Sequence, residues 1–307
     1  MSSLPRQAAL ILSMHRSGTS ALAGALVRLG FQAPKRGVDA SADNPQGFYE
    51  PAALVAVNYC ILAKAGFHWN TCYRYEPRAL PAPTALFTAE AARLLSGEFS
   101  EPTSFVIKDP RLCMTLPFWL PALHATGADL RVVLMLRHPA EVTRSLEQRN
   151  QISDTEAAAL WLHHTLEAEA LTRHLPRGFV TYEGLLDDWR RSLNRAAGQA
   201  GLRWPRPFQQ GAAAVDAFLS PQERHHRAAP SEARLGEPPV DELVAEAWQT
   251  LNALALAPAD PRLQTALDKI SARFAAWRQQ MFPYPVPEEL RPQLNPAADA
   301  AMESLLA

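Results

Sequence analysis

The sequence has little of what marks a secreted, membrane-bound or polyanion-binding protein. Its 307 residues hold three cysteines, Cys60, Cys72 and Cys113, widely spaced and without a CxxC pair. An odd number at that spacing argues against a disulfide framework and a thiolate zinc site, so all three are expected as reduced, packed thiols. An excess of charge of one sign is also missing: net charge is -1 and only 20% of residues are charged. No global basic field invites nucleic acid or an anionic membrane, so any positive potential must be local. Long hydrophobic runs are absent too. Arg6 precedes five consecutive apolar residues, Ala8 to Leu12, too short for a signal peptide, and no run approaches the roughly 18 residues that span a bilayer. A soluble, cytoplasmic protein with no membrane partner is expected. There is no internal repeat, and oligomeric state is not legible.

What is present is enough apolar material for a large core, 48% of the chain. Short β-branched or apolar runs at Ala8 to Ser13, Ser104 to Lys108, Leu130 to Leu136 and Gly178 to Tyr182 are apolar on both alternating faces. That is the pattern of strands buried on both sides in a parallel sheet. Helical patterns lie at Leu22 to Leu29, Leu54 to Ala65, Thr84 to Leu95, Pro139 to Arg149, Thr155 to His174 and Gly184 to Ala200. The alternation predicts an α/β fold with a central, mostly parallel sheet flanked by helices. Past residue 204, Pro, Ala and Arg increase and no strand pattern remains. We expect an α/β domain over 1–235 and a helical, Pro/Ala-rich extension over 236–307 packed on it, with helices near 241–256 and 260–281 and a partly mobile end.

The segment "SMHRSGTSAL", Ser13 to Leu22, follows the first strand run and opens the first helix. A strand, a Gly-containing loop and a helix start gather backbone N–H groups and the positive helix end around one anion. Against the pattern GxxxxGK[ST], Ser13 replaces the first glycine, Gly18 is the second, and Thr19 stands where lysine should be. The cation has moved to Arg16, whose planar guanidinium can grip phosphate or sulfonate oxygens in pairs.

At "RSGTS", Arg16 to Ser20, the chain resembles the sulfotransferases that use 3′-phosphoadenosine 5′-phosphosulfate, of P-loop-like, bacterial or carbohydrate type. The resemblance implies that this loop cradles the 5′-phosphosulfate, with Arg16 on the bridging and leaving oxygens and Ser17, Gly18, Thr19 and Ser20 adding donors. A second match lies in "LRVVLMLRHPAEVTRSLEQR", where Arg137 ends a strand and Ser145 follows eight residues later on a helix. In the family those positions bind the 3′-phosphate that separates this donor from ATP. A third, "FVTYEGLLDDW", implies that Tyr182 lies near the adenine. The likeness covers about residues 7 to 227 and implies a P-loop-NTPase-like sulfotransferase fold, sulfuryl transfer by in-line displacement and no metal.

Sulfuryl transfer builds charge on the leaving phosphate, so positioned cations supply much of the rate. Lys108 in "IKDPR" resembles the family lysine that contacts the sulfonate. The acceptor hydroxyl also needs a base. Where the small-molecule enzymes carry a histidine two residues after that lysine, this chain has Pro110. Glu50 in "DNPQGFYEP" is the candidate base, or else a helix-start residue favoured by the dipole; Asp109 and His138 are reserves, with Asp109 a natural partner for Arg111 or Lys108. Arg224 in "ERHHRA", with His225, His226 and Arg227, forms either a basic flap over the donor or a solvated loop. His163 and His164 point 100° apart on a helix and are expected at the surface. Phe67, Trp69, Tyr73 and Tyr75 either line an acceptor pocket or pack a long loop.

A hydroxyl of a carbohydrate or other small metabolite is the expected acceptor, with no nucleic-acid partner. Two alternatives stay open. An ATP-dependent P-loop kinase would hold Mg²⁺ near Asp109, and a catalytically inactive nucleotide-binding module would bind without transferring.

Overall fold

A computed structural model describes residues 5–41, 44, 46–74, 83–99, 102–219 and 235–282. Four strands, β1 (Gln7–Leu12), β2 (Phe105–Lys108), β3 (Asp129–Leu136) and β4 (Arg177–Thr181), form one sheet in the order β2-β1-β3-β4. All pairs are parallel, with Leu10 opposite Ile107 on one side and Val132 on the other. Every residue of β1 is buried, as expected for a central strand covered on both faces.

The period of two sorts the side chains into two cores. Ala8, Leu10 and Leu12 join one cluster, while Ala9 and Ile11 join the other. The first face is covered by α2 (Ala52–Lys64), α3 (Ala85–Glu98), α4 (Leu112–Ala125), α5 (Pro139–Asn150), α6 (Asp154–Leu171), α10 (Val240–Leu256) and α11 (Pro261–Met281). The second face takes α1 (Thr19–Arg28), α7 (Tyr182–Asp187), α8 (Trp189–Ala200) and α9 (Phe208–Phe218). The result is a three-layer α/β fold with helices on both sides of a parallel sheet.

Several helices differ from the sequence reading. Helix α4 was not expected, because Pro117 and Pro121 lie inside it. An interior proline costs about 3 kcal/mol, yet α4 buries Leu116, Phe118, Trp119 and Leu123, each worth roughly 1.5–3 kcal/mol, so burial wins. The single helix expected over Gly184 to Ala200 is two, broken at Asp188, whose carboxylate accepts from the Arg191 amide at 3.0 Å and caps α8. Helix α6 is buried without interruption from Ala157 to Leu166. His163 and His164 are therefore core residues and not the surface pair expected, because α6 is sheathed by its neighbours on more than one face. The apolar residues of α10 and α11 share the sheet's first core. The Pro-rich stretch beyond Phe282 lies outside the described residues.

The three cysteines are free and buried, and burial pushes the thiols of Cys72 and Cys113 well above their ordinary pKa. Among the described residues no helix is long and apolar enough to cross a membrane.

Candidate active site

With β1 between β2 and β3, the chain leaves β1 toward one neighbour and later crosses to the other. The carboxyl ends on either side of such a switch point open a crevice. A cavity of about 500 Å³ lies there, within the range of small-ligand sites.

The loop after β1 forms its floor. Arg16 and Gly18 both hold positive φ, 66° and 86°, a backbone form that turns successive N–H groups toward one concavity. Helix α1 then begins at Thr19 with no side-chain cap and no acidic residue in its first turn. Its leading amides thus lack intrahelical partners, and Gly18, Thr19, Ser20 and Ala21 border the cavity. Gly18 is required twice over. Its φ suits glycine, and a Cβ there would meet Cδ2 of Tyr182 at 2.2 Å. Ser17 is fully buried with an unpartnered Oγ among the described residues and does not border the cavity, so only its backbone is placed to serve an anion. Ser20 Oγ accepts from Asn44 Nδ2 at 3.3 Å.

The end of β3 meets this loop directly. Arg137 Nη1 donates to the Arg16 carbonyl at 2.8 Å, and Arg16 Nε donates to Ser145 Oγ at 2.8 Å. The guanidinium carbon of Arg137 sits 4.3 Å from the centre of the Tyr182 ring, a cation–π contact. Arg16, Arg137 and Tyr182 border the same cavity, while Ser145 stands behind Arg16. The cationic pockets expected from two distant segments are one surface.

Beyond the loop, the end of β2 supplies a buried ionic network. Lys108 Nζ donates to Glu50 Oε1 at 2.5 Å, and Arg111 Nη1 lies 3.6 Å from Glu50 Oε2. Asp109 is fully buried: Oδ1 accepts from Arg111 Nη1 at 2.6 Å and Oδ2 from Asn58 Nδ2 at 2.8 Å. Asn58 Oδ1 in turn accepts from Thr115 Oγ1 and Trp119 Nε1, both at 2.7 Å. Burial opposes the Arg111 charge, but Asp109, Tyr59 and Glu50 carry its pKa above the ordinary guanidinium value. Asp109 is thus an anchor beneath the site and does not border the cavity, whereas Glu50, Lys108 and Arg111 do. Tyr49, the residue before Glu50, holds φ at 56°, a rare form for an aromatic residue, and its hydroxyl accepts a hydrogen bond from Arg28 Nη1 at 3.2 Å.

Other candidates fall elsewhere. His138 caps α5 through the Ala140 amide and packs on Trp248 at 5.2 Å; it does not border the cavity, which removes it as a reserve base. Trp69 reaches the cavity, while Phe67 and Tyr73 are buried in the core, Tyr73 donating to Glu156 at 2.9 Å. Tyr75, Arg224, His225, His226 and Arg227 lie outside the described residues.

His15, Tyr59 and Arg149 are among the cavity residues that escaped the sequence reading. His15 packs on Trp69 at 4.4 Å, and burial, then Arg111, His164 and Lys108, hold its pKa well below the ordinary value, so it is neutral at pH 7. Tyr59 accepts from Arg111 Nη2 at 2.7 Å. Arg149 follows Ser145 by four residues, one helical turn, and that spacing was a usable signal.

No protein-family model matches the chain, and no curated protein matches it. Among solved structures it is similar to the sulfotransferase domain from the Synechococcus PCC 7002 olefin synthase, at 17% identity over 93% of this chain and 98% of that one, with a TM-score of 0.38.

Proposed function

We propose that the protein is a sulfotransferase that moves the sulfuryl group of 3′-phosphoadenosine 5′-phosphosulfate to a hydroxyl of a carbohydrate or other small metabolite. The observation that carries this reading is the joint between two distant cationic segments: Arg137 on the Arg16 carbonyl and Arg16 on Ser145, at the rim of one cavity. A nucleotide with phosphates at both ends of its ribose needs two such grips side by side, and ATP has no use for the second.

The residues fit the donor. The positive-φ loop and the uncapped start of α1 offer amides for a 5′-phosphate. Arg137, backed by the Tyr182 ring, offers a planar fork for a second phosphate. When bound, the donor supplies an activated sulfuryl group on a good leaving phosphate. Lys108 and Arg16 are the cations placed to offset charge that grows as that phosphate leaves. Glu50 Oε1 is held by Lys108 at 2.5 Å, and Oε2, with Arg111 Nη1 at the longer distance of 3.6 Å, is the oxygen assigned to take the acceptor's proton. The carboxylate that a kinase would use for Mg²⁺ at this strand end, Asp109, is committed to Arg111 and Asn58.

Incubation with donor labelled in the sulfuryl group, in the presence of a chelator and a panel of hydroxyl acceptors, tests the proposal. Label appearing in an acceptor supports it. Transfer from the γ-phosphate of ATP in magnesium, with none from the phosphosulfate, would establish the kinase instead. Tight donor binding with no transfer, unchanged by Glu50→Gln, would establish an inactive binding module.

A further inference from the structure

We infer that Glu141 is a positioning residue that sets the grip of Arg137 on the nucleotide's second phosphate; this rests on the donor-binding role proposed for Arg137. At first sight Glu141 is in the wrong place. It is a carboxylate 5% exposed, one residue away from an anion site in space, where Coulomb repulsion alone would weaken phosphate binding.

Its contacts explain its presence. Helix α5 starts at Pro139, two residues after Arg137 and capped by His138, which puts Glu141 in the first helical turn where the dipole favours a negative charge. From there its Oε2 accepts from Arg137 Nε at 2.8 Å. The guanidinium is then held on three sides: Nε by Glu141, Nη1 by the Arg16 carbonyl at 2.8 Å, and one face by the Tyr182 ring. Of its five donors, the one on Nε and one on Nη1 are taken; the second on Nη1 and both on Nη2 make no hydrogen bond among the described residues, and they remain for a ligand. A long side chain that is already ordered loses little freedom when a phosphate arrives, which is how preorganisation raises affinity. Glu141 does not border the cavity, so its effect reaches a ligand through Arg137.

The two physical effects have opposite signs, which makes the inference testable. Calorimetry on the full chain compares 3′-phosphoadenosine 5′-phosphate with adenosine 5′-phosphate for wild type, Glu141→Gln and Glu141→Ala, with thermal melts of each protein. The near-isosteric glutamine keeps the packing, so a fold defect in the alanine variant does not decide the matter. Positioning predicts that affinity for the bisphosphate falls about tenfold in the alanine variant, the size of one lost charge-assisted bond, and less in the glutamine variant. Affinity for the monophosphate stays unchanged, whereas a merely structural role would lower both affinities together. An unchanged ratio of the two affinities, or a tighter grip on the bisphosphate, overturns the inference and leaves the proposed function standing. A wild type that does not distinguish the two nucleotides overturns both.

Discussion

Replacing Gly18 by alanine adds one methyl group where the donor loop turns under the Tyr182 ring. Two costs can be worked out separately. The backbone there has φ of 86°, and an L-residue in left-handed backbone costs roughly 1–2 kcal/mol. The new Cβ would lie 2.2 Å from Cδ2 and 2.6 Å from Cε2 of Tyr182, so the ring or the loop must move, and overpacking of this kind costs typically 1–3 kcal/mol. Together the loss is about 2–5 kcal/mol, a large share of the roughly 5–15 kcal/mol that holds a domain together. Urea denaturation of wild type, Gly18→Ala, Tyr182→Ala and the double variant separates the parts. Without the ring the overlap vanishes and the backbone cost stays, so the cycle should show a coupling of about 1–3 kcal/mol. The loss of the ring that backs Arg137 should also weaken bisphosphate binding in both Tyr182 variants. A Gly18→Ala variant that loses less than about 1 kcal/mol, or costs that simply add, would refute the packing of loop against ring.

Glu50→Gln leaves Lys108 buried beside a neutral amide while Arg111 keeps Asp109, and an uncompensated buried charge costs on the order of 3 kcal/mol. Its melting temperature should fall, and millimolar sulfate should restore more of it than in wild type, because an anion can then stand in for the carboxylate; equal sulfate responses would contradict this. Sulfuryl transfer by the same variant should drop at least about a hundredfold if the carboxylate takes the acceptor's proton. Acid should destabilise the fold through its core histidines. Burial holds His163 well below the ordinary value and His164 at about 4, against 6.5 when unfolded. The unfolded chain therefore binds more protons between pH 6.5 and about 4, so stability is full above that window and declines as pH falls through it, on the order of 1 kcal/mol per pH unit for each group. Denaturation midpoints across that range, wild type against His164→Leu, check it: the variant's decline should be shallower, and an identical slope would be contrary.

The strands were legible because a strand buried on both faces is apolar without interruption, as in Leu10, Ile11 and Leu12. The meeting of Arg16 with Arg137 and Ser145 was legible in part, because segments that leave adjacent parallel strands emerge at the same edge of the sheet. Strand order was not, since nothing local in Phe105 to Lys108 says which edge of β1 it joins. Helix α4 was hidden by Pro117 and Pro121, whose local cost is overruled by tertiary burial that a single segment does not display. For His163 and His164 a correct local fact, 100° separation, was outweighed by how many elements surround α6. The joining of Asp109, Arg111, Asn58 and Trp119 depends on residues as far as 61 positions apart meeting at one strand end, which spacing along the chain does not encode. Arg149 was within reach, one turn beyond Ser145.

In the proposed reading Arg16 and Arg137 grip two phosphates of one nucleotide. Calorimetry without magnesium, comparing 3′-phosphoadenosine 5′-phosphate, adenosine 5′-phosphate and ATP, tests it most directly. The bisphosphate should bind at least about a hundredfold more tightly than either, the size of two charge-assisted bonds from one arginine, and Arg137→Met should erase the difference. Equal affinities, or a preference for ATP that survives Arg137→Met, would contradict it.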